Sequence, residues 1–271
     1  MRQKSRHAKI TMNAHPKDTG DMSHKDTLFQ CEMSDPGDFV FDDRVVSVFP
    51  DMINRSVPGY GLIVPMTGML ARRYAQENTV LYDLGCSLGA VSIAMRAAVR
   101  RPGIKIVAVD SSADMIRRLK ELLEDDAAPQ APEIRAVQQD ITQTSIENAS
   151  VVVLNFTLQF LQPDQRNALL NRIASGLVPG GILILSEKVR FQDEVEQALQ
   201  TTWHHDFKKT QGYSELEIAQ KRDALENVMK PDSMEQHRDR LKSVGFERVS
   251  PWFQGFNFVS MVAFRNSSDA V

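Results

Sequence analysis

A chain of 271 residues with 42% hydrophobic content is long and apolar enough for one large domain, or for one domain carrying a lid. Its formal net charge of -3 argues against tight, direct nucleic-acid binding, although a local basic patch remains compatible with it. Two cysteines, Cys31 and Cys86, make no disulfide framework, and with no membrane-length apolar run and no secretory signal core the expectation is a soluble, cytoplasmic α/β protein.

Residues 1–21 are polar and aperiodic, with scattered Arg2, Lys4, Arg6 and Lys9, and read as a disordered leader, with Met22 as an alternative start. A basic transit peptide is the competing reading. The rest, 22–271, reads as one domain. Residues 22–76 supply N-terminal helices: Phe39, Phe41, Val45, Val46, Val48, Phe49 and Met52 can pack on a main body, and 61–76 has helical spacing. Between the two lies Val57-Pro58-Gly59-Tyr60, a Pro-Gly turn presenting an aromatic ring. Such a tyrosine is ordinarily core or surface, but its place just before the next motif makes Tyr60 a ligand-contact candidate.

That motif is Val80-Leu81-Tyr82-Asp83-Leu84-Gly85-Cys86-Ser87-Leu88-Gly89-Ala90, a strand ending in an acid, a glycine turn and a helix start. Gly85 permits positive φ, Gly89 permits close approach, and backbone N–H groups at the helix start can meet a ligand. Ser87 stands where a dinucleotide fingerprint has its middle glycine. A nucleoside without a close-packed pyrophosphate therefore fits better. A second strand, 104–110, ends in Asp110 roughly twenty residues beyond the loop, where a carboxylate accepts from ribose hydroxyls.

A helix over 113–124, a loop over 127–132 and a strand over 134–137 lead to Asp140-Ile141. The acid can accept from a purine amine while Ile141 packs on the ring; the plainer alternative is an N-cap aspartate. The apolar run 150–155 reads as a strand buried on both faces, with Asn155 at its carboxyl end. A helix over 163–177 is expected to end at Pro179-Gly180-Gly181, followed by a strand over 182–187. Residues 246–249 and 257–264 read as a terminal antiparallel hairpin. Residues 188–240 interrupt this alternation with polar helices carrying Trp203, His204, His205, Phe207, Tyr213, Lys221 and Arg222, an insertion placed to cover the sheet edge or to pair subunits. His204 and His205 diverge by about 100° around a helix, so no metal site is expected there or elsewhere.

Five alternating strands and helices followed by a hairpin resemble the Rossmann-like class I methyltransferase fold, which implies a seven-stranded sheet of order 3-2-1-4-5-7-6 with helices on both faces. The segments Asp83-Leu84-Gly85-Cys86-Ser87-Leu88-Gly89, Val57-Pro58-Gly59-Tyr60, Val151-Val152-Val153-Leu154-Asn155-Phe156-Thr157-Leu158-Gln159-Phe160-Leu161 and Gly212-Tyr213-Ser214-Glu215-Leu216-Glu217-Ile218 are more specific. With Met22 to Phe29, Leu225 to Met229 and Trp252 to Phe258, they resemble the carboxy-S-adenosyl-L-methionine synthase family from Met22 to about Phe264.

The resemblance implies conversion of S-adenosyl-L-methionine and prephenate to carboxy-S-adenosyl-L-methionine, phenylpyruvate and water. The product would serve a separate tRNA carboxymethyltransferase in forming 5-oxyacetyluridine at the wobble position. It implies a homodimer, no metal, and no direct contact with tRNA or membrane. The binding residues it carries over are Tyr60, Gly85, Cys86, Ser87, Asp110, Ser111, Asp140, Ile141, Asn155 and Arg222. Ser111 stands where relatives commonly hold Asn, with a modest change in ribose contact expected. Arg222 is a permanently charged fork suited to the carboxylate of the product, from its own subunit or a neighbour.

On this reading the sulfonium methyl loses a proton, and the ylide attacks carbon dioxide released as prephenate aromatises, with water excluded by a lid or second subunit. No side chain is an obvious general base, and the hydroxide leaving prephenate could serve. Cys86 is expected to act as a backbone donor rather than as a nucleophile. The competing functions are an ordinary methyltransferase acting on RNA or a small molecule, and a non-catalytic binding scaffold.

Overall fold

The computed structural model describes residues 25–28, 30, 43–124, 131–226 and 228–265. The expected leader over 1–21, the anchors Phe39 and Phe41, Cys31, and positions 127–130 of the expected loop lie outside these residues. Among the described residues seven strands form one sheet of order β3-β2-β1-β4-β5-β7-β6, the order that the resemblance implies. They are β1 (Val80–Leu84), β2 (Lys105–Asp110), β3 (Glu133–Gln138), β4 (Ala149–Asn155), β5 (Leu177–Lys188), β6 (Phe246–Gly255) and β7 (Phe258–Arg265). The first five are parallel, and β7 runs antiparallel to both β5 and β6.

The central strands carry apolar side chains on both faces, so each parity packs on a different helical layer. Leu81, Val151, Val153, Ile182 and Ile184 face α2 (Tyr60–Tyr74) and α3 (Ala90–Ala98), where Ala71, Val91 and Met95 meet them. Leu84, Val152, Leu154, Leu183 and Leu185 face the opposite way, against Leu169, Leu170 and Ile173 of α5 (Pro163–Gly176). Helix α4 (Ala113–Glu124) completes the alternation and matches the expected bounds, while α1 (Asp43–Ser56) buries Val45, Val46, Phe49 and Met52 beside Met115 of α4.

Two boundaries differ from expectation. Strand β5 begins at Leu177, before Pro179-Gly180-Gly181, because Leu177 pairs with Ala149 and the chain then bulges until Ile182 rejoins Val151. Strand β6 also runs farther, to Gly255, and accommodates Pro251 because it lies at the sheet's edge. The insertion forms α6 (Glu194–Thr210), α7 (Glu215–Glu226) and α8 (Met234–Ser243), the last returning the chain to β6.

The β1–α3 turn positions the site. Asp83 is buried at the end of β1, and its Oδ2 accepts from Ser92 N (3.0 Å) and Ser92 Oγ (2.7 Å). Burial above all, with Asp110 nearby, pushes its pKa up to about 6 against the opposing hydrogen bonds from Ser92. Gly85 has φ 77°, and a Cβ there would overlap the Thr157 side chain. Gly85→Ala is therefore expected to lower stability by about 2 kcal/mol or more, measured by denaturant unfolding, through left-handed strain and displacement of Thr157.

At the far end of β5, Glu187 is fully buried and accepts from Leu158 N at 3.0 Å. Burial raises its pKa to about 8, although Arg166 and backbone donors pull the other way. A carboxyl with a raised folded-state pKa stabilises fully below its unfolded value, and that contribution is lost as pH rises toward about 8. The thermal midpoint of Glu187→Gln is expected to match wild type near pH 4.5 and to exceed it by several degrees at pH 8.

Candidate active site at the carboxyl edge of the sheet

A cavity of about 480 Å³ opens at the carboxyl ends of β1, β2 and β4, under α1, α6 and α7. Tyr60, Gly85, Cys86, Ser87, Asp110, Ser111, Asp140, Ile141 and Asn155 all line it. The structure thus brings together nine of the ten residues singled out by sequence.

Asp110 organises the glycine loop. Its Oδ2 accepts from Ser87 N (2.9 Å) and its Oδ1 from Ser112 N (2.9 Å). Burial raises its pKa against these donors. Ser87 takes φ 49°, a left-handed conformation uncommon for a side-chain-bearing residue, and this turns its N–H toward Asp110. Asp140 caps the 3-10 turn Ile141–Gln143 through Oδ1, which accepts from Thr142 N at 2.8 Å. The capping role and the cavity position therefore coexist. Ile141, 7% exposed, offers an apolar surface beside it.

Asn155 ends β4 with its Oδ1 buried and without a hydrogen-bond partner among the described residues. Such an oxygen facing a cavity is suited to accept from a ligand. Phe156, next in the chain, has φ 60° and meets the Tyr60 ring in a tilted contact and the Phe258 ring edge-on, with centroids 6.5 and 5.9 Å away. The Tyr60 hydroxyl is held in its protonated form by burial and then by Asp83.

The backbone donor of Cys86 is used within the fold. Its N–H donates to Val109 O at 3.0 Å, and Gly85 N donates to the same carbonyl at 2.8 Å, so both are used in closing the sheet end. Burial, with Asp83 and Asp110 close by, drives the thiol pKa well up. A thiol so held lacks the thiolate that covalent chemistry needs.

Arg222 is the residue that the structure keeps apart. It lies on the exposed side of α7, with Nε and Nη2 donating to Asp223 Oδ1 at 3.0 and 2.8 Å. Its neighbour Lys221 points inward and lines the cavity. Lys221 Nζ lies 3.0 Å from Ser56 Oγ and 3.3 Å from both Asp26 Oδ2 and Tyr213 OH. Asp26 also accepts from Tyr213 OH at 2.6 Å, and Arg55 stacks 3.9 Å over the Tyr213 ring. This buried cluster binds the segment before α1 to the insertion.

Sequence reasoning missed Lys188 and Lys208 as cavity residues and gave His204 no place there. The available signal was the His204–Lys208 spacing of one helical turn on a helix beside the sheet edge. His204 Nε2 donates to Ser56 O at 2.9 Å, and burial, then Lys208 and Lys188, drives its pKa down to about 2, so it remains neutral. Among the described residues no group of three or more His, Cys, Asp or Glu side chains is arranged to hold a metal, and no helix is long and apolar enough to cross a membrane.

Residues 81–181 match the family described as methyltransferase domain. A solved O-methyltransferase family protein from Burkholderia thailandensis shares the fold, with a TM-score of 0.60 at 16% identity, over 84% of this chain and 62% of that one. Two curated relatives are much nearer. The carboxy-S-adenosyl-L-methionine synthase of Citrobacter koseri is 54% identical over 249 residues, covering 92% of this chain and 100% of its own length. That of Klebsiella pneumoniae (strain 342) is 51% identical with the same coverage. Identity at this level, extending through the helical insertion as well as the sheet, places the chain in the carboxy-S-adenosyl-L-methionine synthase family.

Proposed function

We propose that this enzyme converts S-adenosyl-L-methionine to carboxy-S-adenosyl-L-methionine, with prephenate as carboxyl source and phenylpyruvate and water released. It works in the cytoplasm, and its product supplies a tRNA carboxymethyltransferase that builds 5-oxyacetyluridine at the wobble position. The observation that carries this reading is the convergence of Asp110, Asp140, Ile141 and the unpartnered Asn155 Oδ1 on one cavity in a chain of this family.

Each residue has a definable part. Asp110 retains lone pairs after its two backbone contacts and accepts from ribose hydroxyls. Asp140 keeps its second oxygen for the purine amine, with Ile141 against the ring. Asn155 Oδ1 and the protonated Tyr60 hydroxyl supply an acceptor and a donor toward the amino-acid end of the substrate. The substrate supplies an acidic sulfonium methyl group, and the roof of α6 and α7 keeps water from the carbanion formed there. The chain positions reactants and balances charge, while the hydroxide leaving prephenate takes the proton.

Arg222 enters this scheme from a second copy of the chain. It is exposed on the insertion, whose helix α6 carries exposed Val195, Leu199 and Trp203 at successive turns. In a homodimer joined through these helices, the guanidinium fork of one subunit completes the neighbour's cavity and holds the new carboxylate.

Incubation with S-adenosyl-L-methionine is expected to add one carboxyl group to the nucleoside, read by mass, only when prephenate is present. Formation of S-adenosylhomocysteine with an acceptor would indicate an ordinary methyltransferase instead. Co-expressed Arg222→Ala and Asp110→Ala chains, each inactive alone, are expected to recover about a quarter of wild-type activity, because half of randomly formed dimers hold one intact site of two. No recovery would place Arg222 in its own subunit's site.

A further inference from the structure

The part of the cavity lined by the insertion and the end of β5 carries positive charge that a nucleoside does not use. Lys208 of α6, Lys221 of α7 and Lys188 at the end of β5 all line it. Lys208 is only 7% exposed, and among the described residues no carboxylate pairs with its ammonium group. Its charged neighbours are instead Lys221 and Lys188. His204 and His205 on the same helix are both held toward the neutral form, by burial and then by Lys208. Lys221 differs in having Asp26 and Tyr213 OH behind it, with Arg55 beyond the Tyr213 ring. The charged groups that act on Lys208 are thus ammonium groups, whereas the carboxylates Asp83, Asp110 and Asp140 line the cavity beside the glycine loop.

Buried charge of one sign is unfavourable unless a counter-charge arrives. Burial first, and then Lys221 and Lys188, push the Lys208 amine down to about 7; burial leads in lowering Lys221 to about 8. We propose that Lys208, flanked by Lys188 and Lys221, is the subsite that recognises a small dicarboxylate co-substrate and sets its specificity for two negative charges. This rests on the reading that a dicarboxylate enters the cavity, and it assigns the residues that receive it. The two ends of the cavity then sort their ligands by charge, with the anion repelled from the carboxylates and drawn to the lysines.

A proton should accompany the anion. Below about pH 7 Lys208 is already charged in the free enzyme, so binding takes up no proton there. Near pH 8 it is largely neutral when free and charged in the complex, so binding takes up a proton. Calorimetric titration of prephenate into enzyme loaded with S-adenosylhomocysteine, which lacks the reacting methyl, reads this uptake from buffers of different ionisation enthalpy. Wild type is expected to take up a substantial fraction of one proton near pH 8 and little near pH 6, and Lys208→Gln to lose most of the uptake. In steady state, Lys208→Gln should raise KM for prephenate about tenfold or more while leaving KM for S-adenosyl-L-methionine within about twofold, and Lys208→Arg should restore prephenate affinity. An active wild type whose Lys208→Gln variant keeps both its prephenate KM and its proton uptake would overturn the subsite, as would failure of wild type to bind the dianion. Dianion binding with Lys208-dependent proton uptake but without carboxylated product would refute the proposed activity and leave the subsite standing.

Discussion

The buried contact between Asp83 and Ser92 sets the frame for everything at the sheet edge. One carboxylate oxygen accepts from both the N–H and the hydroxyl of Ser92, and so ties the end of β1 to the first turn of α3. With those ends fixed, the eight residues between Asp83 and Ser92 turn back through left-handed Gly85, Ser87 and Gly89. That route brings Ser87 N to Asp110, which aligns the end of β2 with the end of β1. The cradle is therefore a product of two carboxylates bonding to backbone, and its chemistry follows from where they hold the chain.

Built on that edge, the cavity is electrically divided. Asp83 and Asp110 stand at the ends of β1 and β2, Lys208 and Lys221 descend from the insertion, and Lys188 ends β5. Lys208 has no carboxylate partner among the described residues. Lys221, by contrast, pairs with Asp26, from a segment 195 positions earlier in the chain. That pair pins the roof to the N-terminal segment.

Much of this was legible in order along the chain. Apolar runs marked the central strands because parallel strands are buried on both faces, and the glycine turn with an acid at a second strand end marked the ligand edge. What was not legible depends on partners remote in sequence. The early start of β5 requires the pairing of Leu177 with Ala149, and no local pattern near Pro179 announces it. The N–H of Cys86 is committed to Val109, which becomes visible only when β1 and β2 are adjacent. Lys208 looks like any charge on a polar helix until α6 is laid across the sheet edge. Arg222 and Lys221 are sequence neighbours that diverge because adjacent helical positions lie about 100° apart, so one turns inward and the other outward.

Gln159, just beyond β4, links the two ends of the helical roof. Its Oε1 accepts from Lys188 N and its backbone oxygen from Lys230 N, each at 2.9 Å. Buried Arg166 reinforces the junction by donating to the carbonyls of Gln159 and Lys230. A forty-residue detour that leaves and rejoins the body at a single clasp has little loop-closure cost beyond that clasp, since its ends are already side by side. Such a detour is a cassette: its length and helices can diverge among homologous proteins while the knot beneath it, and the nucleoside cradle beyond, keep their shape.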